Sequence, residues 1–96
     1  MLLHILNRSP ATSEAYRQAL AAMGPEDRLL LIEDGVQGAM STLAGHFAEV
    51  TGRLYALRDD LEARGLIAHC DTTVAVTDMA GFVTLTEDAD RTLSWF

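Results

Sequence analysis

The chain has 96 residues, 49% of them apolar, and a formal charge of −7. That apolar share can fill one packed core and is too high for a disordered tail, so a single domain over residues 1–96 is expected. The acidic balance, with seven arginines and no lysine, disfavours a sequence-independent grip on nucleic-acid phosphates and docking on anionic membranes.

Met1-Leu2-Leu3-His4-Ile5-Leu6 opens the chain as an apolar run broken only by His4. It lacks a basic leader and a small-residue cleavage site, so it reads as a buried first strand rather than a signal peptide. Ser9-Pro10 then looks like a helix start, with serine as cap and proline at the first position, where its missing N–H costs nothing. Tyr16, Leu20 and Met23 share one face of that helix, and Gly24-Pro25 ends it. Arg28-Leu29-Leu30-Leu31-Ile32 lacks the alternation of a strand with one wet face, so it predicts a strand buried on both sides. It stops at Glu33-Asp34-Gly35. Asp34 can cap a second helix, with Gln37 answering as in a capping box, and Val36, Ala39, Met40 and Leu43 would face inward.

Residues 53–57 predict the third strand. Asp59 to Arg64 predicts a short helix with acids first, an arginine last and Gly65 as its left-handed stop. Thr73 to Val76 is rich in β-branched residues and predicts a fourth strand. Asp78 can cap a last helix through Phe82, Val83 and Leu85. Thr92 to Phe96 fits a short edge strand or an interface segment. Strands alternating with helices in this way predict an α/β fold: a mostly parallel sheet of four to five strands with helices on both faces.

Several segments together resemble the TusB/DsrH family of sulfur-relay proteins. These are Leu3-His4 with Ser9-Pro10, Leu29-Leu30-Leu31 with Glu33-Asp34-Gly35-Val36, and Tyr55-Ala56-Leu57. Asp60-Leu61-Glu62-Ala63-Arg64-Gly65, then Phe82-Val83-Thr84-Leu85-Thr86 and a terminal Ser94-Trp95, complete the set. The resemblance spans nearly the whole chain. It implies a DsrE/F/H-type sandwich with flavodoxin-like layering. It also implies a heterohexamer with TusC/DsrF-like and TusD/DsrE-like subunits, fed by small sulfur-carrier proteins. In the TusB branch such a complex passes persulfide sulfur toward 2-thiouridine at the tRNA wobble position; in the DsrH branch related complexes serve dissimilatory sulfur oxidation. The DsrH-branch cysteine of the first helical region has no counterpart between Ser9 and Gly24. The persulfide cysteine of the TusB-branch complex belongs to the TusD-like partner. The resemblance therefore carries no catalytic residue onto this chain and implies no cofactor.

One cysteine, Cys70, cannot close an internal disulfide, which suits a reducing cytoplasm. It is the one candidate for sulfur chemistry, between His69 and Asp71. A transfer thiol needs exposure and a lowered pKa, whereas Asp71 would raise it. The blander reading is a small apolar residue near the fourth strand, and a self-associating chain that uses Cys70 or has no sulfur chemistry is the rival to the subunit reading. The residues favour His4 as a packed, hydrogen-bonded core histidine, and the resemblance adds a part in shaping a subunit contact. Glu33 and Asp34 could pair for acid–base work, against a helix cap with an exposed neighbour. The three histidines and the cysteine show no zinc-type spacing, and no phosphate-binding glycine pattern occurs. Trp95 and Phe96 join His4, Glu33 and Asp34 as interface candidates, since aromatic residues are enriched in interface cores. Met40 and Phe47 are interface candidates on the same ground, with the core reading favoured for Met40.

Overall fold

A computed structural model describes residues Met1–Phe96. Five parallel strands form one sheet in the order β4-β3-β2-β1-β5. They are β1 (Leu2–Leu6), β2 (Arg28–Leu31), β3 (Leu54–Leu57), β4 (Ala75–Thr77) and β5 (Arg91–Trp95). The helices are α1 (Ala15–Ala22), α2 (Arg58–Ala63) and α3 (Met79–Asp88), with 3-10 segments at Glu33–Ala39, Ala44–Val50 and Ile67–His69.

The connectivity explains the layering. From β1 to β4 the chain steps one way across the sheet, and right-handed crossovers then lay every connection on one face. The step from β4 back to β5 runs the other way, so α3 lies on the opposite face. Pleating divides the strands accordingly. Leu6, Leu29, Leu31, Leu54 and Ala56 pack under α1, α2 and the first two 3-10 segments in a core of 14 buried residues. Leu3, Ile5 and Leu30 meet Leu85 of α3 in a second, smaller cluster. The apolar run of β2 is thus buried on both sides, as its lack of alternation implied.

Three local expectations are corrected. The first helix begins at Ala15, not at Pro10. Ser9 closes a turn instead: its carbonyl accepts from Thr12 and Ser13 and its hydroxyl from the Ala11 N–H. The segment after β2 is 3-10, not α-helical, and Asp34 does not cap it; Ile32 stands at the cap position and no side chain bonds there. The cause is the turn itself. Glu33 takes φ 49°, and the chain folds so closely over β1 that any side chain at position 35 would collide with the Leu6 carbonyl. Third, β4 is Ala75–Thr77 rather than residues 73–76. Asp78 does cap α3, accepting from the Gly81 N–H at 2.8 Å, and Gly65 closes α2 with φ 66°.

Candidate functional site

The carboxyl ends of parallel strands are where open α/β sheets gather ligands and partners, above all where the strand order reverses. Here that place lies between β1 and β5. A crevice of about 100 Å³ opens there, lined by Ile5, Asn7, Ile32, Ser94, Trp95 and Phe96. Phe96 is 77% exposed. The Asn7 side-chain oxygen is buried and has no hydrogen-bond partner.

The Trp95 ring packs on the other, α1 face of the sheet, against its core. The indole N–H donates to His4 Nδ1 at 3.1 Å, and His4 Nε2 lies 3.0 Å from Asp27 Oδ2. An indole nitrogen only donates, so Nδ1 accepts and Nε2 carries the proton that Asp27 receives. Asp27 sits in the turn before β2 and also accepts from the Leu2 and Gly24 N–H groups, both at 2.9 Å. Burial pushes its carboxyl up, but the two backbone donors and His4 outweigh this and hold it down at about 2. The Arg53 guanidinium closes the same turn by donating to the Gly24 and Asp27 carbonyls. A line of hydrogen bonds through buried His4 thus joins the amino edge of the sheet at Asp27 to the carboxyl edge at Trp95.

His4 is completely buried. It has no surface to offer a partner, and any influence on a contact passes through Trp95. Glu33 and Asp34 are both exposed but do not act as a pair. Asp34 meets Arg64 at 3.2 Å, while the Glu33 N–H donates to Asp60 Oδ2 at 2.7 Å. Asp60 therefore holds the strained Glu33 turn, and Arg64 spans Asp34 and Asp60. This is an ion-paired clamp between the β2 turn and α2 rather than a reacting carboxylate pair.

Cys70 lies away from this edge. It bridges to Met40 in a short antiparallel contact and lines a shallow niche with Met40, Ser41, Thr42, Ala68 and His69. The thiol is half-buried. Burial and then the Asp71 charge push its pKa up, away from the thiolate that sulfur chemistry requires. No group of three His, Cys, Asp or Glu side chains converges as a metal-ligand set. His46 is exposed, with its ring edge-on to Tyr16 at 5.1 Å.

The parts that sequence reasoning missed are Asp27, Arg53 and the Asp60–Arg64 clamp. Asp27 lies 23 residues from His4, and Trp95 lies 91 away. No local pattern marks such partners. The one available signal was His4 itself, a polar residue inside an apolar strand that has to find partners on burial.

Comparison with known proteins settles the lineage. Residues 8–92 match the family model described as DsrH like protein. The chain belongs to the DsrH family. Among its relatives, Protein TusB of Enterobacter sp. (strain 638) is 35% identical over 98 residues, covering 98% of this chain and all of that protein. Protein TusB of Serratia proteamaculans is 37% identical over 97 residues, and that of Escherichia coli K12 is 31% identical over 96, each with the same coverage. In three dimensions the chain is similar to the YchN protein of E. coli, with a TM-score of 0.79 at 18% identity over 97% of both chains. MTH1491 of Methanobacterium thermoautotrophicum gives 0.59 at 21% identity over 94% of both. These two likenesses concern the fold, and they agree with the parallel α/β sandwich of this DsrH-family chain. No helix is long and apolar enough to cross a membrane.

Proposed function

We propose that this DsrH-family chain is a TusB-like, non-catalytic subunit of a cytoplasmic sulfur-relay complex. The complex passes persulfide sulfur toward 2-thiouridine at the tRNA wobble position. The observation that carries this reading is the end-to-end similarity to proteins named TusB. Cys70 supports the passive role. Its sulfur is half-buried and lies beside Asp71, and sulfur transfer needs an exposed thiolate that attacks and then carries the persulfide. The reactive cysteine then belongs to a TusD-like partner, with a TusC-like chain completing the assembly and small carrier proteins delivering sulfur to it. The acidic surface fits a chain that meets proteins and leaves the tRNA to a downstream enzyme.

The test is ³⁵S transfer by the assembled complex carrying Cys70→Ser. Transfer at the wild-type rate is expected. Abolished transfer with the complex still assembled, or a persulfide trapped on Cys70 by mass spectrometry, would overturn the passive role.

A further inference from the structure

The α3 face of the sheet is unfinished. Of the ten residues of α3 only Leu85 is buried. Met79 and Val83, four residues apart and so on one stripe, are 50% and 51% exposed. Neighbouring large apolar side chains left this exposed on one stripe mark a contact surface. The crevice beneath Phe96 opens beside Ile5 and Ile32, which belong to this same face.

The charges around the stripe describe its mate. Glu87 and Asp88 stand exposed in the last turn of α3, with no basic residue in that turn and no ion pair to either. Negative charge there opposes the helix dipole, so a cation would answer the two acids and the dipole together. Asp78 is exposed at the other end, and Arg91 is the one cation close by in sequence. A second copy fits poorly. An antiparallel α3 pair across a two-fold axis would set Glu87 and Asp88 of one copy beside Asp78 of the other, within an assembly whose every chain carries −7.

We propose that the outer stripe of α3 and the crevice under Phe96 form the docking face for a different polypeptide. That partner presents an apolar patch rimmed by Arg or Lys. This inference rests on the subunit reading and names its surface and the chemistry of its mate.

The experiment measures assembly of the full chain with purified TusC-like and TusD-like chains. Met79→Arg and Val83→Arg change exposed positions, so both variants should keep the wild-type circular dichroism. Each should weaken assembly by about tenfold, the scale of a central interface residue. The double reversal Glu87→Arg/Asp88→Arg should weaken it by roughly threefold at low salt, with the gap closing as salt rises. Amide exchange in α3 should slow on assembly. If wild type and all variants assemble alike and α3 exchange is unchanged, the surface is wrong and the subunit reading stands. If the wild-type chain ignores both partners, the surface and the reading fail together. A homo-oligomer that shields α3 would overturn the assignment to a different chain.

Discussion

Fourteen buried residues close the core on the α1 face of the sheet, whereas four do so on the α3 face. The same strands supply both, so strand composition is not the difference. Three successive connections cover one face and a single helix covers the other. The first face is largely closed within the chain, with Ile67 its one exposed large apolar residue; the second retains exposed Met79, Val83 and Phe96. The contrast separates residues that hold this subunit together from those free to serve an assembly.

Substitutions can break that contrast. Leu29→Ala, in the closed core, should cost about 2–5 kcal/mol through lost burial and the cavity left behind. Val83→Ala should stay within about 0.5 kcal/mol of wild type in the lone chain. Urea melts of the two decide the matter, and a large loss at Val83 would mean that the α3 stripe is already covered.

The Asp27 knot sharpens the comparison at the amino edge. Its carboxyl is held at about 2 against an ordinary 3.8. A depressed folded-state value contributes stability that is present above the unfolded value, so it is complete above about pH 4 and lost as pH falls through about 2. Asp27→Asn should therefore cost about 2 kcal/mol at neutral pH. The gap between wild type and variant should shrink from pH 4 to pH 2 in urea midpoints. A constant gap would show that the carboxylate charge is not what the knot uses.

A smaller effect is expected at the carboxyl edge. Trp95→Phe keeps an aromatic ring but removes the donor to His4 Nδ1, at a cost of about 1 kcal/mol. Nitrogen-15 spectra of wild-type His4 should show the proton on Nε2. A proton on Nδ1 would contradict the line from Trp95 to Asp27.

Much of this molecule can be read from local pattern. Leu29-Leu30-Leu31 marks a doubly covered strand because only burial on both faces permits an unbroken apolar run. Asp78 marks the start of α3 because a carboxylate there meets a free N–H within three residues. The same reasoning failed at Asp34, where a close crossing over Leu6 and the pull of Asp60 on the Glu33 N–H override the local capping preference.

The order of apolar runs and turn residues by itself determined a parallel, helix-covered sheet, since those signals act within a few residues of chain. Tertiary structure alone decided that His4 joins Asp27 to Trp95, that Arg64 clamps Asp34, and that one sheet face stays open. Those outcomes depend on groups brought together from distant parts of the chain and on the direction in which each crossover returns, and no short stretch of sequence encodes either.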